Sequence, residues 1–182
     1  MADASAMASE GIRLLEAARY DEAARAFVEA RLVDPGSSEL AFDLGLARLR
    51  DGRARDARAA FLEALELGGG AGNGAADLYC NQGLACFDLG KPDEAEAHYR
   101  RALELAPGPP EANNNLGVAF FARGMYAEAR AAFRKAASAR PGYGDAWFNL
   151  RDARAEPGLD AERDPAPAGT GRGAGGGRGR AG

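Results

Sequence analysis

The side chains with the widest chemical reach in this 182-residue chain are one histidine, His98, and two cysteines, Cys80 and Cys86. Their spacing limits what they can do. Glu94 lies four residues before His98, on the same face of a helix, a pairing expected of a solvated surface. A single imidazole without a second ligand makes no metal centre. Neither a Cys-His nor a Ser-His-Asp arrangement has a well-placed base. Cys80 and Cys86 are six residues apart, which is neither a helical neighbour step nor a metal-ligand spacing. Two unpaired thiols fit a reducing compartment. Residues 70–75 read GAGNGA, a loose match to a phosphate-cradling glycine loop. They follow a helical pattern rather than a strand and lack the Lys-Ser/Thr of a nucleotide loop. The chain is therefore read as non-catalytic, with no cofactor and no metal.

The remaining chemistry is hydrogen bonding, and it comes in rows. Asn81, Asn115 and Asn149 are 34 residues apart, and Asp43 and Ser9 continue the column upstream. Each amide carries both donors and an acceptor. Such regularity requires a repeating scaffold. Gly11, Gly45, Gly83 and Gly117 recur at steps of 34, 38 and 34. Each is followed twelve residues later by Ala23, Ala57, Ala95 or Ala129, then by a ring at Phe27, Phe61, Tyr99 or Phe133. Ala30, Ala64, Ala102 and Ala136 come next, then Pro35, Gly69, Pro107 and Pro141. Each unit therefore reads as two short amphipathic helices, expected at 5–17 with 21–33, 38–51 with 54–67, 76–89 with 92–106, and 110–123 with 126–139. The small residues allow close helix approach and the ring fills the space. Gly52, Gly90 and Gly124 close first helices where a left-handed residue is needed. Proline stops the second helices.

The segments YDEAARAFVEARLVDP, PDEAEAHYRRALELAP and YAEARAAFRKAASARP resemble the second helix of a tetratricopeptide repeat, and NQGLACFDLG and NNLGVAFFARG its first helix. The period of that family is 34 residues. The resemblance covers about residues 4–154 and implies an all-α, right-handed solenoid of antiparallel helix pairs, with four units and a capping helix. The units are 4–37, 38–71, 76–109 and 110–143. The cap is 144–154, where Arg151 breaks the glycine column and the outer face is polar, as solenoid ends require. Residues 68–75 form a glycine-rich insertion loop, expected to leave the second and third units loosely joined. Glu10 and Asn113 depart from their columns. Glu10 faces the open end of the stack, whereas Asn113 stands where Tyr79 and Trp147 are bulky and either marks a thin spot or faces a water.

In this family the first helices line the concave face and carry binding. The resemblance thus implies a scaffold that holds an extended peptide of another protein. The asparagine row is similar to the ladder in the repeats of O-linked N-acetylglucosamine transferases, with no catalytic domain here. The candidate peptide-binding residues are Asn81, Asn115, Asn149, Asp43, Phe42, Leu46, Leu84, Phe87, Val118, Phe121 and Phe148, with Leu49 beside them. Glu39, Asp77, Glu111 and Asp145 form an acidic row in the first turns. This suits both the helix dipole and a basic ligand. Chaperone-docking members of the family clamp a C-terminal carboxylate with basic residues. Here the matching places hold Ala8, Ile12 and Asp43, and in the next pair Phe42 and Leu46, so that function is not carried over.

Net charge is −4 at pH 7, which argues against a generally basic nucleic-acid binder. No apolar run is long enough to span a membrane, and residues 1–10 do not read as a signal peptide. A cytoplasmic protein is expected, of unspecified oligomeric state. Residues 155–182 are rich in Pro, Gly and Arg and read as a disordered tail. Residues 165–182 carry three arginines and no acid, giving +3 against −7 for residues 1–164. Two alternatives follow: weak, salt-sensitive nucleic-acid binding by the tail, or an adaptor autoinhibited by the tail folding into the acidic face.

Overall fold

The computed structural model describes residues 3–70, 74–107 and 109–155. The expected tail at 155–182 lies outside them apart from Ala155, which ends the last helix, and the centre of the glycine loop at 71–73 lies outside them too. The described residues form four helix pairs and a last helix. These are α1 (Ala4–Glu16) with α2 (Tyr20–Val33), α3 (Ser38–Arg50) with α4 (Ala54–Ala64), α5 (Ala75–Asp88) with α6 (Pro92–Leu105), α7 (Pro110–Ala122) with α8 (Tyr126–Ala139), and α9 (Gly144–Ala155). Each helix packs on the next in sequence. The backbones of successive first helices also come close to one another, whereas successive second helices meet through longer side chains, as in the Arg31–Glu63 and Arg58–Glu94 ion pairs. The stack therefore curves with α1, α3, α5, α7 and α9 on its inner face.

The column residues explain the packing. Phe27, Phe61, Tyr99 and Phe133 are at most 1% exposed. Each ring lies flush on its glycine: a Cβ added to Gly11, Gly45, Gly83 or Gly117 would stand 2.5–2.7 Å from ring carbons. Only a residue without a side chain lets the two helices of a unit approach this closely. The turns inside the units share one geometry. Gly52, Gly90 and Gly124 are left-handed, with φ of +73° to +75°. The following N–H reaches back to close the first helix, from Arg53 to the Arg48 carbonyl, Lys91 to Cys86 and Met125 to Phe120. The first unit does the same with Ala18 at φ +56° and Arg19 bonded to Leu14. An alanine holds the conformation there at a cost of roughly 1–2 kcal/mol.

The glycine seam differs from its expected form. Residues 68–75 are not all loop: Leu65–Gly69 continue α4 as a π-helical turn, with Gly68 at φ +93°, and Ala75 already opens α5. One apolar cluster joins Ala41, Phe61 and Ala64 to Leu78 and Ala85 across the seam, although α4 and α5 meet over less backbone than α2 and α3, α6 and α7, or α8 and α9 do. A Cβ on Gly69 would stand 2.8 Å from the Ala64 carbonyl and 3.1 Å from Leu78. Here glycine replaces the usual proline because the backbone itself approaches closely. At the far end Ala146, Leu150 and Ala153 bury α9 on the stack while Arg151 and Asp152 face water, as a cap requires. Gln82 is fully buried where the second and fourth units carry Leu44 and Leu116, and nothing in the structure pairs its amide.

Candidate functional site

The inner face is built by the first helices, and one side of each presents the residues singled out above. The asparagines are half-buried and their amide nitrogens are engaged. Asn81 donates to its own Asp77 carbonyl at 2.8 Å. Asn115 reaches across to the Cys80 sulfur at 3.8 Å, and Asn149 to the Asn114 side-chain oxygen at 3.0 Å. Asn115 thus ties α7 to α5 and Asn149 ties α9 to α7, whereas Asn81 bonds within α5. One N–H of each amide is used, leaving a second N–H and carbonyl lone pairs.

Cys80 and Asn114, which receive those bonds, were not among the expected site residues. They occupy one column with Ala8, Phe42 and Phe148, immediately before the asparagines. Its residue types vary, so no pattern advertises it, although its position was readable. Burial pushes the Cys80 thiol up to about 11, leaving it a poor nucleophile. Cys86 is buried, and neither cysteine is in a disulfide.

The acidic row divides. Glu39, Asp43 and Asp77 converge with Phe42 on one cavity of about 350 Å³, completed by Ser38, Gly69, Gly74 and Leu78. Burial first, and then the Glu39 carboxylate, push the Asp43 carboxyl up to about 6. Glu111 instead pairs with Arg140 from the end of α8, both side chains half-exposed, so its charge is partly offset there. Asp145 is exposed and does not line the cavity. Three carboxylates repel a phosphate, so the glycine loop beside them is no nucleotide cradle.

The apolar candidates also separate. Leu84, Phe87, Val118 and Phe121 are partly buried against the core, and Phe121 meets Tyr126 edge-on at 5.2 Å. Leu49 and Phe42 lean on the neighbouring cluster, with Phe42 5.8 Å from the Phe61 ring. Leu46 is half-buried. Phe148 is 55% exposed, with the Arg151 guanidinium 4.8 Å above its ring, and is the open apolar surface of the row.

His98 does not form the expected surface pair with Glu94. Its ring stacks on Tyr79 at 6.3 Å, and burial lowers its pKa. Glu94 is held instead by Lys91 and Arg58. A helix-face spacing allowed the pairing; two nearer cations decided against it. Among the described residues no group of His, Cys, Asp and Glu could hold a metal ion, and no helix is long and apolar enough to cross a membrane.

Family models described as tetratricopeptide repeat match residues 35–108 and 80–144. No curated protein matches the chain. Among solved structures, the MamA protein is similar with a TM-score of 0.71 and 23% identity, over 82% of this chain and 80% of that one. YrrB, described as a TPR protein with an unusual peptide-binding site, aligns with a TM-score of 0.67 and 24% identity, over 84% and 77%. The first TPR of Spaghetti (RPAP3), bound to the HSP90 peptide SRMEEVD, aligns with a TM-score of 0.62 and 27% identity, over 67% and 94%.

Proposed function

Since this chain belongs to the tetratricopeptide repeat family, whose solved relatives include a peptide-bound domain, we infer that it is a protein-interaction scaffold holding an extended, basic segment of a partner along its inner face. The observation that carries the reading is the cavity where Glu39, Asp43 and Asp77 meet the Phe42 ring. A lysine or arginine side chain suits it, with its alkyl stem on the aromatic and its charge among the carboxylates. The asparagine row continues from there toward Phe148, offering amide groups to a peptide backbone and an exposed ring to an apolar side chain. The RPAP3 domain takes an acidic peptide. Here the carboxylates would repel one, so the preferred ligand has the opposite charge.

Two expectations test this reading with extended Lys/Arg-containing peptides and the full chain. First, Asn81→Ala combined with Asn115→Ala weakens binding by about 1 kcal/mol or more per lost amide pair, measured by titration calorimetry. Because Asn115 also bonds Cys80, a thermal melt separates lost binding from lost stability. Unchanged affinity in the double variant would sink the amide row as a ligand contact.

Second, binding depends on pH through Asp43. A bound cation favours the ionised carboxylate, whereas burial disfavours it in the free protein. Affinity is therefore highest above about pH 6 and declines as pH falls through that value, with a proton released on binding. The Glu39 and Asp77 carboxylates face the same cavity and work in the same direction. For the free fold the sign is reversed: the raised carboxyl adds stability as pH falls through about 6 toward the ordinary carboxylate range. Asp43→Asn should flatten the pH dependence of binding. A variant with the wild-type pH profile would remove Asp43 from the site.

A further inference from the structure

The fourth residue of each unit changes along the stack: Met7, Ala41, Tyr79, Asn113 and, in the cap, Trp147. At Tyr79 and Asn113 it stands in the wedge between one second helix and the next. At the third unit a ring fills the wedge. Tyr79 lies against the end of α4, so that a Cβ on Gly70 would stand 3.4 Å from its hydroxyl and 3.1 Å from Leu65. His98 stacks on that ring and the Arg101 guanidinium covers it at 5.9 Å. At the cap, Trp147 packs on Ala136, Ala137 and Ala146, and its indole N–H donates to the Pro141 carbonyl at 2.9 Å.

Between these two rings in the column stands Asn113. Its amide turns back to the Pro109 carbonyl at 3.3 Å rather than spanning the gap. The result is a cavity of about 690 Å³ between α6 and α8, walled by Leu103, Pro107 and Ala131 and edged by Arg134, Lys135 and Ser138. The repeat register explains why it is empty of rings. Ala132 stands where the preceding unit has His98, so both members of the stacked pair are trimmed. The cation is kept: Lys135 follows Asn113 by the same 22 residues that separate Arg101 from Tyr79.

We propose that this cavity is a second protein-docking site, which takes a tryptophan or tyrosine ring flanked by acidic residues from a partner. The preceding unit shows the occupant's shape, since there the same wedge closes on the Tyr79 ring, and the column carries a ring again at Trp147. It also shows the electrostatics, because a cation over a ring is the arrangement already present at Tyr79 and Arg101. Among the described residues Lys135 edges the cavity and no carboxylate lines it, which favours acidic flanks. The site lies on the second helices, away from the inner face, and does not rest on the reading of that face. One chain can therefore hold a basic segment inside and an acidic aromatic segment outside.

The test uses the full chain and a labelled, acetylated Asp-Glu-Trp-Asp-Glu amide, with the same peptide carrying Ala for Trp as control, read by fluorescence anisotropy. Saturable binding of the Trp peptide, with the Ala peptide at least about 10-fold weaker, is expected. Lys135→Glu, an exposed position, should weaken binding about 5-fold or more with an unchanged melt. Asn113→Tyr returns the ring from inside; it should block the peptide and raise Tm. The Asn81/Asn115 double variant should leave this binding intact, which separates failure here from failure of the inner-face reading. No saturable binding, equal affinity for the Ala peptide, or indifference to Lys135→Glu would overturn the proposal. So would self-association abolished by Asn113→Tyr in sedimentation, which would assign the cavity to a second copy.

Discussion

Replacing Phe133 by alanine should cost about 3–5 kcal/mol of folding stability, read as a lowered midpoint in urea. The ring is 1% exposed and belongs to the largest cluster, with Tyr99, Leu116, Phe120 and Leu150. Its opposite wall is the bare backbone of Gly117, 2.5 Å from the ring at the position a Cβ would take. No side chain on that wall can move in to fill the space, so the cavity persists and the cost lies at the upper end of the range for an aromatic. In a solenoid, stability is a sum of unit and neighbour terms. The loss should therefore concentrate in the fourth unit and its contacts, with amide exchange accelerated in α7–α9 before α1–α4. A loss below about 1 kcal/mol would mean that the ring is not wedged on the glycine as described.

The second large effect is expected at Glu96. Its side chain is 11% exposed and pairs with Arg123, at the end of α7, and with Arg100 on its own helix; Asp93 adds to the Arg123 contact at 2.9 Å. Glu96→Ala leaves a partly buried guanidinium without its main partner. We expect a loss of about 3 kcal/mol, the low end for breaking a buried pair, because Arg123 is still 30% exposed. A double-mutant cycle with Arg123→Ala checks it: a coupling under about 0.5 kcal/mol would make this an ordinary solvated pair. The pair joins the third unit to the fourth, so its loss should also lower the cooperativity of the melt.

The two cases differ in how far the sequence announces them. Gly117 and Phe133 stand in columns repeated four times, and a repeated column of small residue and ring has one physical solution, a ring laid on a backbone. The pairing of Glu96 with Arg123 spans 27 residues and occurs in no other unit, so no periodicity exposes it. The candidate site shows the same division. The asparagine row was legible because its step equals the repeat. Its partners Cys80 and Asn114 were not, because their column varies in residue type. Asn113 was legible as a thin spot, since its neighbours in register are large, but only the packed structure shows the cavity and the lysine at its edge.

Ala18 and the glycine loop mark the limit most clearly. A left-handed alanine violates local preference, and it is held because the turn it closes repeats the geometry of three glycine turns. The loop reads as slack, yet its first residues continue a helix and pack against Leu78. At Ala18 the packing of α1 on α2 within one unit, and at the loop the contact with Leu78 of the next, outweighed what the backbone prefers in isolation. Helices, units, cap and the ring-on-glycine core follow from spacing, because a period near 34 leaves each helix only one way to bury its apolar face. Which carboxylates converge on a cavity, which one pairs with Arg140, and where a wedge stays open depend on a few ångströms between helices distant in the chain. That information lies in the packing of unlike neighbours, and no repeat carries it.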